Sequence, residues 1–344
     1  MKRIQFEEHG KSSVLNIVTT NPPVLLANQL LVETKASGLN HLDLWIRRGL
    51  PGLNIPLPHV PGSDAAGVIV GMGSDVEGWS VGDEVVVQPG TFCGSCAACL
   101  DGKEDMCPSY GILGETETGI QQQYVALPES SLGKKPKNLS FSEAAALPLS
   151  ALTSWNMLKN RAGLIAGETA LILGAGSGVG VMAIQIAKYL GARVIATGGT
   201  EQKRDLASRL GADEVLNHRE AGFGKQVKQL TEKRGADVVF EHIGEATWGE
   251  SLKALAIGGR LVTCGATTGI SGSVNLQHLF FKRQSILGST MGSVADFQQC
   301  LKLADEGVLK PVLDKVLPFG QVKAAHDQLE FHHAFGKVVL EGWS

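Results

Sequence analysis

Residues 93–107 read CGSCAACLDGKEDMC and hold four of the chain's six cysteines, Cys93, Cys96, Cys99 and Cys107. The pattern C-x2-C-x2-C-x7-C suits a metal site, because short spacers let thiolates converge tetrahedrally on one ion. Disulfide or redox pairing is the competing reading, and a reducing compartment disfavours it. Such a metal either does chemistry or only holds a lobe of protein together.

A second constellation lies in ETALILGAGSGVGVMAIQIAKYLGA, which reads as strand, glycine-rich turn and helix. Gly174, Gly176, Gly178 and Gly180 crowd the turn. Glycine lets the backbone approach a pyrophosphate closely, and the helix N-terminus supplies N–H groups and partial positive charge. Gly176, Ser177, Gly178 and Val179 are therefore expected to bind a dinucleotide. The bland reading is a tight turn with no ligand. It is disfavoured because a strand precedes the turn and a helix follows it. An NAD site wants an acid about 20 residues beyond the glycines to take the ribose hydroxyls. Here the second strand ends in VIATGGTEQKR, with no acid at Thr197, Gly198 or Gly199 and with Lys203 and Arg204 just beyond. That leaves room for a 2′-phosphate and cations to attract it, so NADP is expected over NAD. Glu201 argues the other way, and the two cations read equally as solvated helix charges.

The elements that must position these groups fall in two sets. From about Leu164, buried strands alternate with helices: ETALILGAG, ARVIATGG, ADEVLN, ADVVFEHIG and GRLVTCGA are strands, while EQKRDLASRLGA and TWGESLKALAIG are helices. That alternation predicts βαβ units, a parallel sheet covered on both faces and an α/β fold. Residues 1 to about 150 instead carry short strand-like runs broken by Gly and Pro, such as QLLVETKASGLN, AAGVIVGMGSDV, GDEVVVQPG and QQQYVALPES, which predict a small barrel or sandwich. FGKVVLEGW, near the C-terminus, is expected to pack back on that first domain. A chain of 344 residues fits two domains. A net charge of −3 and a charged fraction of 19% argue against a nucleic-acid or membrane binder. No apolar run approaches the roughly 20 residues that span a bilayer. MKRIQFEEHG has no signal-like apolar stretch, so a cytoplasmic protein with reduced thiols is expected.

Together the cysteine lobe, VGDEV at 81–85, the glycine turn and GKVVL at 336–340 resemble the medium-chain dehydrogenase/reductase superfamily, which holds the zinc alcohol dehydrogenases and the quinone oxidoreductases. The resemblance covers essentially the whole chain. It implies a GroES-like catalytic domain at 1–150 with a zinc lobe at 90–110, a Rossmann domain at 151–290, and a return to the catalytic domain at 291–344. The cofactor of that family lies in the cleft between the two. Its four-cysteine lobe binds a structural zinc, and a set of four thiolates agrees with that role because it leaves no open position for water or substrate.

Zinc alcohol dehydrogenases also carry a catalytic zinc that polarises the alcohol oxygen. At the positions of its ligands the resemblance puts Asn40, Ser63 and Ser150, and Leu42 replaces a relay hydroxyl. Asn and Ser are poor zinc ligands, so no conventional catalytic zinc is expected. A rearranged site built from His41, His59 and Asp64 is the alternative. Asn40, Asp43, Arg47 and Gly49 follow the N-x-x-D-x-x-x-R-x-G pattern of the zinc-free quinone oxidoreductases, although a cysteine lobe is not typical of that branch. GTEQK at 199–203 resembles that branch's NADPH-binding segment, which adds Gly199, Thr200, Lys203 and the strand-end Thr197 as cofactor contacts. His218 falls where the branch often has a Tyr beside the adenosine phosphate. Thr153 is implied behind the nicotinamide, and Gly265, in TCGA, is expected against the cofactor. Cys264 reads as a buried apolar residue.

Asn40 is the expected orienting donor and Asp43 its supporting partner, with a backbone-satisfying turn residue as the bland reading of Asn40. The leading function is NADPH-dependent hydride transfer to a quinone, enone or other α,β-unsaturated carbonyl. An alcohol dehydrogenase with an atypical metal site and a non-catalytic NADPH-binding protein are the alternatives. A homodimer or homotetramer is implied by the family, with SILGST at 285–290 as the pairing edge.

Overall fold

Strands such as Ala170–Ile172 and Val194–Ala196 are apolar and fully buried, which requires cover on both faces. In the computed structural model, which describes residues 1–50, 52–331 and 334–343, they lie in a six-stranded parallel sheet. Its spatial order is Glu214–Leu216, Arg193–Thr197, Thr169–Ile172, Ala236–Glu241, Leu255–Thr263 and Ser285–Gly288. Numbered along the chain this is 3-2-1-4-5-6, the doubly wound dinucleotide order, with its switch point beside the first strand. The glycine turn leaves that strand and opens the helix Gly178–Tyr189. Leu171, Leu173, Ile195, Phe223, Val239 and Leu261 fill one core layer.

One boundary differs from the sequence expectation. The helix expected over TWGESLKALAIG ends at Ala254, and LAIG opens the strand Leu255–Thr263. Leu255 and Ala256 are buried there, Leu255 pairs with Ala236, and Gly258 holds φ +73°. Burial and a glycine pair override the helical propensity of Ala-Leu-Ala.

The chain divides into two compact units, residues 151–291 and residues 1–150 with 292–344. The second of these holds a seven-stranded sheet. Its continuous path runs Leu313–Pro318, Lys337–Glu341, Gln29–Gly38, Asp64–Met72, Glu84–Val87 and Leu132–Lys134, and Tyr124–Pro128 pairs with Gln29–Glu33. From Gln29 to Ala36 half-exposed and buried residues alternate, the period-two signature of a strand with one face inward, and Ser37 and Gly38 are buried as well. Apolar side chains fill two clusters. One includes Ile4, Phe6, Leu44, Ile46, Phe319 and Leu340, and the other Leu30, Val32, Ile69, Val85, Val125 and Leu127.

Register at the centre of this sheet sets the site. Gly38 pairs with Asp64 on one side and with Val339 on the other, and the Leu39 N–H donates to Val338 O at 2.9 Å. Lys337, Asn40 and Asp64 are thereby neighbours, although they come from distant parts of the chain. A methyl group on Gly38 would lie 2.3 Å from Ala145 O and 3.3 Å from Lys337 Cε, so this crossing needs glycine. Among the described residues no helix is long and apolar enough to cross a membrane.

Candidate active site and cofactor site

Asn40 is the N-cap of the helix His41–Arg48. Its backbone N–H donates to Asp43 Oδ2 at 2.7 Å, the acid-to-cap contact expected of an acid in the first turn. The second carboxylate oxygen of Asp43 accepts the Gly62 N–H at 3.1 Å, tying the helix start to the turn that carries Ser63 and Asp64. Lys337 Nζ donates to Asn40 Oδ1 at 2.6 Å and to Asp64 Oδ2 at 2.9 Å, and Asn40 Nδ2 donates to the same Asp64 oxygen at 2.9 Å. Asp64 Oδ1 accepts the Leu149 N–H at 2.8 Å. Asn40 is 8% exposed, Lys337 5%, Asp43 1% and Asp64 0%. Burial pushes the Asp43 carboxyl up to about 7, aided by the Asp64 charge and opposed by the Asn40 and Gly62 N–H groups and Lys337.

Asn40 has only one amide orientation in this network. A lysine ammonium has no acceptor and a carboxylate has no donor, so the amide oxygen must face Lys337 and the nitrogen Asp64. One N–H of that nitrogen goes to Asp64, and one remains for another acceptor. Nearby, Ser63 Oγ and both polar atoms of the Gln121 side chain are buried without a hydrogen-bond partner, and Gln121 packs on Gly62. Buried polar atoms without a partner are uncommon.

The other candidates nearby are committed elsewhere. Ser150 Oγ donates towards Ala146 O and Leu147 O, both at 3.1 Å. His59 is bonded through Nε2 to Gly114 O at 3.0 Å, and burial lowers its basicity. The His41 ring lies tilted to that of Trp45, with ring centroids 6.5 Å apart. Arg47 is fully buried, donates to Gly10 O at 3.1 Å and pairs with Glu330, so it anchors the helix rather than facing a substrate.

The glycine turn is built by side chains from three strand ends. Ser177 caps the helix: its Oγ accepts the Gly180 N–H and donates to Gly174 O, both at 2.9 Å. Gly174 has φ +62°, and a methyl there would lie 2.8 Å from His242 Nε2. Thr197 Oγ1 accepts the Gly174 N–H at 3.2 Å and contacts His218 Nδ1 at 2.9 Å. Thr200 caps the helix Glu201–Arg209, and the Lys203 side chain lies against Gly176. Arg204 Nη1 donates to Gly198 O at 3.3 Å. A methyl on Gly199 would lie 2.8 Å from Arg219 Nε and 3.1 Å from His218 Nε2. Arg204, Arg219 and His218 thus converge on residues 197–199, and the Lys203 side chain lies over Gly176 beside them. Burial and that positive surround press His218 down to about 4, so it is neutral at pH 7. Val179 O accepts the Ser154 hydroxyl at 2.9 Å, Thr153 Oγ1 lies 3.8 Å from Met291 Sδ, and Gly265 O accepts the Thr263 hydroxyl at 3.3 Å.

In the cysteine lobe the four sulfur atoms lie within 4.8 Å of one another. Cys93 to Cys99 is 3.9 Å, Cys96 to Cys99 3.5 Å and Cys107 to Cys93 3.6 Å. The Cys96 N–H donates to Cys93 Sγ and the Ser109 N–H to Cys107 Sγ, both at 3.4 Å.

Comparison with known proteins agrees with this division of labour. The alcohol dehydrogenase GroES-like domain matches residues 26–137, and the zinc-binding dehydrogenase domain matches residues 178–306. A solved NAD-dependent alcohol dehydrogenase is 45% identical, with a TM-score of 0.97 and full coverage of both chains. A zinc-type alcohol dehydrogenase-like protein of Schizosaccharomyces pombe is 36% identical over 93% of this chain and 92% of its own. The crotonyl-CoA carboxylase/reductase of Cereibacter sphaeroides is 30% identical over 95% of this chain and 83% of its own. The chain belongs to the medium-chain dehydrogenase/reductase superfamily. It is an NAD(P)-dependent oxidoreductase of the zinc-type alcohol dehydrogenase and quinone oxidoreductase class.

Two metals are associated with this superfamily, and the residues fit only one of them. A tetrahedron with Zn–S bonds of about 2.3 Å has sulfur atoms about 3.8 Å apart. The three closest sulfur pairs in the lobe, at 3.5 to 3.9 Å, lie near that spacing, and all four sulfur atoms lie within 4.8 Å of one another. At the positions of a dehydrogenase's second metal, by contrast, Asn40 is engaged by Lys337 and Asp64, and Ser150 by main-chain carbonyls. His41, His59 and Asp64 form no ligand cluster either: among the described residues the four cysteines are the only such group.

Sequence reasoning missed Lys337, although GKVVL was noticed, because its partners lie 297 and 273 residues away. It also missed Arg219. The signal available was its place in NHRE, directly after a strand that pairs with Arg193–Thr197.

Proposed function

We propose that this dehydrogenase uses NADPH to reduce a quinone, enone or other α,β-unsaturated carbonyl, with one structural zinc in the cysteine lobe. The observation that carries this reading is the Lys337 ammonium bonded to both Asn40 and Asp64. It commits the polar groups a catalytic metal would draw on and leaves a neutral amide N–H as the group presented to substrate.

When bound, NADPH supplies the hydride. Asn40 donates its remaining Nδ2–H to the carbonyl oxygen of the acceptor, where negative charge grows as the β-carbon takes the hydride. A fixed neutral donor aimed at a forming enolate stabilises it without moving a proton. Lys337 and Asp64 hold the amide in that orientation, and Asp43 holds the backbone that carries it. Alcohol oxidation asks for more, because the alkoxide needs a Lewis acid or a base beside it. The α-carbon proton comes from solvent.

NADP is favoured over NAD by the side chains around residues 197–199. Lys203, Arg204 and Arg219 offer charge and donors suited to a 2′-phosphate, and no carboxylate stands ready for the ribose hydroxyls among residues 197–199. A second copy of the chain is the partner we infer. Ser285–Gly288 ends its sheet with an open edge, and Leu276, Phe280 and Phe281 just before it are 63–70% exposed.

Kinship to an NAD-dependent alcohol dehydrogenase favours a second reading, alcohol oxidation with a metal held in an unforeseen way. One experiment separates them: zinc per chain on never-chelated protein, with turnover assayed in both directions. About one zinc and NADPH oxidation by quinones or enals supports the first. About two zinc ions and alcohol oxidation overturns it. No turnover with any acceptor points to a binding protein.

A further inference from the structure

His218 is linked through Thr197 to the glycine turn and lies beside Gly199. Its Nδ1 meets Thr197 Oγ1 at 2.9 Å, and that hydroxyl also accepts the Gly174 N–H at 3.2 Å. Its Nε2 faces Gly199 beside the Arg219 guanidinium. The charges around it are Arg219 on its own loop, Lys203 and Arg204 from the helix Glu201–Arg209, and His242 at the end of the strand Ala236–Glu241. All oppose a proton on the imidazole. In the neutral ring Nδ1 accepts from the Thr197 hydroxyl and Nε2 carries the hydrogen.

A 2′-phosphate brings close to two negative charges at pH 7. Seated among Lys203, Arg204 and Arg219, it offsets most of their positive charge and sets phosphate oxygens beside the His218 ring. We propose that His218 is a specificity-determining residue, which takes up a proton from solvent when a 2′-phosphate docks beside Gly199 and so ties the preference for NADP over NAD to pH. The inference rests on the NADPH reading given above. NADH has no 2′-phosphate and leaves the imidazole neutral. The protonated ring donates through both nitrogens: Nε2–H to the phosphate, and Nδ1–H to Thr197 Oγ1, whose own hydrogen turns away. A tyrosine at this position, with a phenol pKa near 10, could not make that exchange at neutral pH.

The sign follows from linkage. A proton taken up on binding strengthens binding as pH falls, by at most about tenfold per pH unit for one proton. The phosphate's own protonation near pH 6 works against this, so the comparison with a variant is what isolates His218. The experiment is calorimetric titration of NADPH and NADH into the intact protein between about pH 6 and 8.5, in buffers of different ionisation enthalpy, for wild type, His218→Gln and His218→Tyr. Wild type is expected to take up more protons per NADPH than either variant, and its NADH-to-NADPH Kd ratio is expected to rise towards low pH more steeply than theirs. Equal proton uptake and equal slopes in all three overturn the role of His218 and leave the NADPH reading standing. Tighter NADH binding at every pH in wild type overturns both.

Discussion

Lys337 and Asp64, 273 residues apart in sequence, meet at 2.9 Å with both side chains almost fully buried. Asn40 completes the triangle, and its amide is held between a cation and an anion that cannot exchange places. A buried pair of this kind is weak evidence for net stability, but removing one partner strands the other charge and is costly.

Lys337→Met is expected to destabilise the protein by roughly 3–5 kcal/mol, and adding Asp64→Asn to it should recover part of that loss. Denaturant unfolding of the two single variants and the double variant measures the coupling. Strictly additive losses would show that the pair does not act as a unit.

Asn40→Ala removes the donor aimed at the developing oxyanion. A loss of about 10²–10³ in kcat is expected, with KM changed far less. Steady-state kinetics with a quinone or enal measures the split. A change confined to KM would assign Asn40 to ground-state binding, and wild-type kinetics would return it to a capping role.

Asp43 gives a pH signature. Its folded pKa, about 7, lies above the ordinary 3.8, so the folded protein holds this proton more tightly than the unfolded chain does. The associated stability is fully present below the ordinary value and is lost as pH rises through about 7. Between those limits wild type should lose stability with rising pH more steeply than Asp43→Asn. Denaturation midpoints at several pH values test this, and parallel profiles would contradict it.

Arg219→Ala should weaken NADPH binding by about tenfold and leave NADH binding nearly unchanged, because only the first carries the charged group that a guanidinium matches. Fluorescence titration of both nucleotides on the same preparation provides the comparison. An equal loss for both would mean that Arg219 shapes the loop rather than reading the phosphate.

Cys96→Ser removes one corner of a closed tetrahedron. Zinc content is expected to fall from about one ion per chain towards none, and the 93–107 lobe should become sensitive to limited proteolysis. Retained zinc with an intact lobe would refute ligation by the four cysteines.

Much of this protein was legible in the sequence where the physics is local. Four thiols within residues 93–107 announce their convergence, because short spacers permit little else. The glycine turn is equally local, since strand, turn and helix are contiguous and Ser177 and Thr200 cap the helices they precede. Short strand-like runs broken by Gly and Pro pointed to a small barrel or sandwich, and unbroken apolar runs in the parallel strands to a sheet covered on both faces. The end of the helix Glu245–Ala254 was misjudged, because whether LAIG continues a helix or opens a strand depends on burial against Ala236, which no local pattern reveals.

By itself the sequence determined the two fold types, the cysteine cluster and the glycine turn, and the resemblance it carries implied Asn40, Ser63 and Ser150 in place of strong metal ligands. Only the tertiary structure decided what faces Asn40. The register of Gly38 against Asp64 and Val339 brings Lys337 beside it, and strand pairing brings Arg219 and His218 onto Gly199. A buried charge acts over a few ångströms whatever its distance along the chain, so its role is fixed by what the sheet places beside it.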